Sequence, residues 1–144
     1  MVLVPKDSTV TGIADLGGKK VCAASGSTSI QNIAAAPSKP IPVAVSDWTD
    51  CLVMLQQGQV DAISTDDVVL KGLARQDPDV DVVGESLGIE PYGVGVKLHN
   101  DDLVRFVNGA LEDIRADGTW ERLYDRWLQS LGPTPGPPTA RYQD

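Results

Sequence analysis

Apolar positions along the first ninety residues come in short runs separated by turn residues. Val2-Leu3-Val4, Lys20 to Ala24, Ile41 to Val45, Val60 to Ser64 and Val80 to Val83 each read as a strand bounded by Gly, Pro, Ser or Asp. Between them the period changes. Ile30 to Ala35 reads as a helix, and Trp48, Cys51, Leu52 and Leu55 recur at helical spacing up to Gly58. Val68, Val69, Leu70 and Leu73 form another apolar stripe, from Asp67 to about Arg75, closed by Asp77-Pro78. Strands alternating with helices predict an α/β fold, with a mainly parallel sheet and flanking helices. Pro42 places the Ile41 run near a sheet edge. Trp48 reads as core.

Beyond residue 90 the pattern changes. Tyr92-Gly93-Val94-Gly95-Val96 reads as a further strand. Leu103, Phe106, Val107, Ala110, Leu111 and Ile114 then fall on one helical face, which Gly118 ends. Thr119 is placed to cap a second helix, striped by Trp120, Leu123, Tyr124, Trp127, Leu128 and Leu131. Residues 132–144 are Pro-rich and aperiodic and read as a tail.

Composition narrows the class. The 144 residues are 42% hydrophobic and 22% charged, which is globular. A net charge of −8 argues against nucleic acid and anionic membrane surfaces. No apolar run approaches the length of a membrane span, about 18 residues or more. Met1 to Lys6 has neither the basic start nor the apolar core of a signal peptide, so a targeting segment, if the protein is exported, is expected outside these residues. Cys22 and Cys51 match no metal motif, and His99 is the one histidine. No metal or cofactor is predicted. The cysteines read either as two buried thiols or as one disulfide.

Candidate chemistry sits at two strand ends. Ser25-Gly26-Ser27-Thr28-Ser29 joins a strand to a helix start, where unpaired N–H groups suit a carboxylate or phosphate. It lacks the Gly-Lys-Ser/Thr element of a P-loop. Thr65, Asp66 and Asp67 follow the central strand, where α/β sheets bind ligands. Each segment has a plainer reading as a helix cap, because a side-chain oxygen there satisfies an orphan N–H.

In order, Asp15-Leu16-Gly17-Gly18-Lys19-Lys20-Val21, Ser25 to Ser29, Gly58-Gln59-Val60-Asp61-Ala62 with Asp66, Val83-Gly84-Glu85, Tyr92 to Val96, Asn108 to Leu111 and Ala116 to Trp120 resemble polar amino-acid-binding proteins of ABC transporters. The cysteine placement, with Ser64 to Asp67, looks most like the actinobacterial glutamate/glutamine-binding lipoproteins. The resemblance implies one lobe of a type II periplasmic binding fold. Residues 1–98 would be the second ligand-binding lobe with hinge strands, and 99–131 a helix pair belonging to an incomplete first lobe. It implies that Asp66 pairs with a ligand α-amino group and that Thr28 offers its N–H to the α-carboxylate, with Ser25, Gly26, Ser27, Ser29 and Thr65 beside them. It implies a Cys22–Cys51 bridge. Ala24 and Thr65 depart from the lysine and histidine of some glutamine binders. The expected function is extracytoplasmic binding of glutamate, glutamine or aspartate for an ABC permease, as a lipoprotein whose anchor lies elsewhere. A receptor domain or a dehydratase on the same fold are the alternatives. His99, beside Asn100 in a loop, has no catalytic partner in view. The stripes of residues 100–131 predict a homo-oligomer, the competing outcome being a monomer whose helices dock on their own sheet.

Overall fold

The computed structural model describes residues 1–88 and 92–140, apart from the side chain of Ser130. The chain divides into two compact units, Met1–Glu90 and Pro91–Asp144.

The first unit holds strands β1 (Val2–Pro5), β2 (Lys20–Ala24), β3 (Ile41–Val45), β4 (Ala62–Ile63) and β5 (Val80–Val83). Its helices are α1 (Thr28–Ala35), α2 (Trp48–Gln56) and α3 (Asp67–Gln76). The sheet order is β3-β2-β4-β1-β5. β2 pairs in parallel with β3 and β4, as the strand-helix alternation predicts. β1 runs antiparallel between β4 and β5. It is the first strand in the chain and needs no crossover helix, so its insertion is invisible to the alternation rule.

Strand alternation sorts the apolar side chains onto two faces. Leu3, Cys22 and Ile63 pack with Cys51, Leu55, Leu70 and Leu73, under α2 and α3. Val2, Val4, Val21, Ala23 and Ala62 pack with Leu16 and Ile33, under α1 and the short turn Ile13–Leu16. The small residues of β2 let helices approach both faces. Leu3, Leu16, Ile33, Ile63 and Leu70 are fully buried, each worth about 1.5–3 kcal/mol over exposure.

Several elements differ from their sequence prediction. The central strand, expected over Val60 to Ser64, is only Ala62–Ile63. Asp61 turns its carboxylate onto the Lys20 N–H at 2.8 Å and toward Lys19 at 3.4 Å. Its own N–H still donates to Lys20 O at 2.9 Å. α1 starts at Thr28, two residues before the predicted Ile30. Trp48, expected in the core, is 40% exposed because α2 begins there, at the sheet edge. Gly58 does end α2: at φ 67° it lets its N–H reach Leu55 O and lets the Gln59 N–H reach Met54 O, a Schellman closure.

The second unit holds α4 (Asp101–Ala116), α5 (Thr119–Trp127) and a short turn, Gln129–Leu131. Tyr92 to Val96 forms no strand; a strand needs a ladder partner, and alternation alone cannot supply one. Gly118, not Thr119, caps α5; its left-handed backbone, φ 76°, makes the turn between the helices. The described part of the tail, 132–140, has no regular structure, and 141–144 lie outside the described residues.

Candidate ligand-binding site

β2, β3 and β4 run the same way, so their carboxyl ends share one edge of the sheet. The Ser25 N–H donates to Val45 O at 2.7 Å, and the Ser64 N–H donates to Cys22 O at 2.9 Å. The segments Ser25–Ser29, Ser46–Asp47 and Ser64–Asp67 therefore lie side by side. The helices leaving β2 and β4, α1 and α3, pack on opposite faces. Divergence of this kind opens a crevice outside the strand ends, where α/β sheets bind ligands.

The first segment is a tight turn. Gly26 has φ 73°, which suits the third position of a type II turn, and the Ser27 N–H closes it on Ala24 O at 3.2 Å. Ser27 Oγ also donates to Ala24 O, at 2.7 Å. Ser27 is the N-cap of α1 by position, but makes no side-chain cap bond. The cap reading of this hydroxyl is thereby corrected: Ser27 serves the turn. Ser25, Gly26 and Thr28 are exposed, Ser27 is half-buried and Ser29 is buried.

Asp66 is the N-cap of α3, and its carbonyl accepts the Leu70 N–H at 3.0 Å. Its carboxylate makes no cap bond. Instead Asp67 Oδ1 accepts the Val68 N–H at 2.8 Å. Thr65 and Asp66 are half-buried at the rim. Asp47, N-cap of α2, likewise makes no side-chain cap bond. Ser46-Asp47 was not singled out from the sequence; its position after a strand parallel to β2 was the signal that it shares the edge.

The arrangement sets helix-start N–H groups of α1 beside a carboxylate at the start of α3. The first favours a negative group and the second a positive one. Among the described residues no cluster of His, Cys, Asp and Glu suits a metal ion. Cys22 and Cys51 are joined in a disulfide, with Cα atoms 5.6 Å apart and both residues fully buried.

No family model matches the sequence. Relatives do. The ABC transporter glutamine-binding protein GlnH of Bacillus subtilis (strain 168) is 32% identical over 129 residues, covering 89% of this chain and 47% of that protein. An ancestral arginine-binding protein bound to glutamine has a TM-score of 0.79 and 32% identity, over 88% of this chain and 58% of that one. The chain is a partial homologue of the amino-acid-binding proteins of ABC transporters. It spans 47% and 36% of the length of two curated glutamine-binding relatives that it matches. Domain 2 of an arginine-binding protein, TmArgBP, crystallised by itself, is covered over 97% of its length, with a TM-score of 0.50 and 25% identity over 58% of this homologue. The α/β architecture expected of one lobe is thus found both in the chain's own sheet and in its structural relatives.

Proposed function

We propose that this chain supplies one ligand-binding lobe, residues 1–98, of a protein that captures a polar amino acid of the glutamate, glutamine or aspartate class for an ABC permease. The carrying observation is the pairing of opposite polarities on one sheet edge: the start of α1 at Thr28 and the carboxylate of Asp66. An amino-acid zwitterion presents a carboxylate and an ammonium, and burying either without a partner is costly. Thr28 N–H would take the first and Asp66 the second, with Ser25, Gly26, Ser27, Ser29 and Thr65 shaping the contact. The names of glutamine- and glutamate-binding relatives support this class, and an arginine-binding relative supports a polar amino acid more broadly.

The helix pair 99–131 belongs, on this reading, to the opposing lobe of such a protein. Its exposed apolar residues, Phe106 and Trp127 foremost, would pair with a second copy when this chain stands alone. An extracytoplasmic setting, with a lipid anchor outside these residues, fits the disulfide.

One lobe leaves a ligand half solvated, so this chain binds weakly. Titration with glutamine, glutamate and arginine, followed by backbone amide NMR, tests the reading. Millimolar ligand should move the amides of residues 25–29 and 65–67, and Asp66→Ala should abolish the movement. Tight saturable binding that survives Asp66→Ala would refute the assignment.

A further inference from the structure

The disulfide occupies a particular place in this edge. Cys22 pairs with Val43 of β3 and with Ile63 of β4, so it sits at the centre of the parallel part of the sheet. Its carbonyl accepts the Ser64 N–H at 2.9 Å, a bond that ties β2 to the segment that runs to Asp66. Two residues after Cys22, β2 ends and the Ser25–Ser29 turn begins. β4 has only two residues, and its opposite neighbour β1 meets it at one position, Leu3 to Ile63. So short a strand has little ladder of its own to fix its register. Cys51 carries the other sulfur, one turn into α2, whose start Asp47 lies on the same edge.

We propose that the Cys22–Cys51 disulfide is a positioning device for the ligand-binding edge. It clamps the strand centre that registers the turn before Thr28 against the segment before Asp66, and it ties the start of α2 to both. The covalent bond thereby sets the distance between the two polar groups, beyond its general effect on the unfolded chain. This role rests on the amino-acid-binding reading for its consequence, but its geometry can be read without ligand.

The test compares the oxidised protein with Cys22→Val/Cys51→Ala, which refills part of the lost volume and guards against loss of the fold. Leu16→Ala is the control: Leu16 is fully buried, on the opposite face of the sheet, in the turn that precedes the start of β2. Hydrogen exchange is followed without ligand. In the double variant, the Ser25, Ser64 and Asp66 amides should exchange about tenfold faster relative to those of the β1–β5 ladder. Leu16→Ala should accelerate both sets alike. Equal acceleration of both sets in the double variant would overturn the proposal. A glutamine titration of each protein separates the two readings. Selective exchange with no glutamine response in any protein refutes the binding reading and leaves the positioning role standing. Glutamine binding of equal strength with and without the disulfide overturns the positioning role for the site.

Discussion

Gly84 shows how one residue can be fixed by backbone geometry alone. It follows β5 with φ 78°, and a Cβ there would lie 2.9 Å from Gly12 Cα and 3.2 Å from Thr11 O. Both neighbours are main chain and cannot swing away. Gly84→Ala should therefore destabilise the first unit by about 1–3 kcal/mol, read as a lower urea midpoint with an unchanged slope. Gly18, with φ 70° but open space around its Cβ direction, lacks the steric part and should tolerate alanine better. In the sequence the two glycines look alike; only the crossing of two chain segments separates them. Asp66 is a similar case. Its place before α3 was legible from Asp-Asp ahead of an apolar stripe, but whether its oxygen caps the helix was a matter of rotamer and neighbours.

Among elements, α3 and its ends carry a pH dependence. Asp77 closes α3 and is buried. Gln56 Nε2 donates to it at 2.7 Å and the Asp79 N–H at 2.9 Å, joining the ends of α2 and α3. These bonds hold its carboxyl below the usual carboxylate range. A depressed folded value means that the contribution is present above the unfolded value, near 4, and is lost as pH falls through the folded value. Unfolding at pH 6 and pH 3 should show Asp77→Asn costing stability at the higher pH and much less at the lower. Asp15, held down by the Thr11 N–H and hydroxyl, and Asp117, by Thr119, act in the same direction. Acid destabilisation should therefore persist in part in the variant. The helices and strands here were readable because each has its own period. β4 is shorter than its apolar run because the Lys20 N–H is taken by the Asp61 carboxylate, which also faces Lys19, while the Asp61 N–H keeps its bond to Lys20 O; these partners are distant in the chain.

For the molecule as a whole, self-association and the disulfide are the measurable properties. Phe106 is 73% exposed and Trp127 66%, on helices in which no residue is buried. Covering such side chains is worth about 1.5–3 kcal/mol each. Light scattering over a range of concentrations should show a dimer or larger species, and Phe106→Ser/Trp127→Ser should shift it to monomer. A monomeric mass at every concentration would count against pairing through residues 100–131. Reduction under denaturing conditions, followed by blocking of both thiols, should lower stability by roughly 3–4 kcal/mol in the chain-entropy model, for a bridge that spans 29 positions.

Periodicity in the sequence determined the strand-helix alternation, both C-terminal helices and the parallel pairing of β2 with β3, because side-chain spacing and crossover length are local properties. The motif order determined the kinship with amino-acid-binding proteins, including the cysteine pairing. Only the tertiary structure decided that β1 lies antiparallel within the sheet, that Ser27 serves a turn rather than a cap, and that Tyr92 to Val96 forms no strand. Each of these depends on which backbone group is available as a hydrogen-bond partner, Ala24 O three residues back for Ser27 and groups distant in the chain for the strands, and a linear pattern of apolar and polar residues carries no information about that.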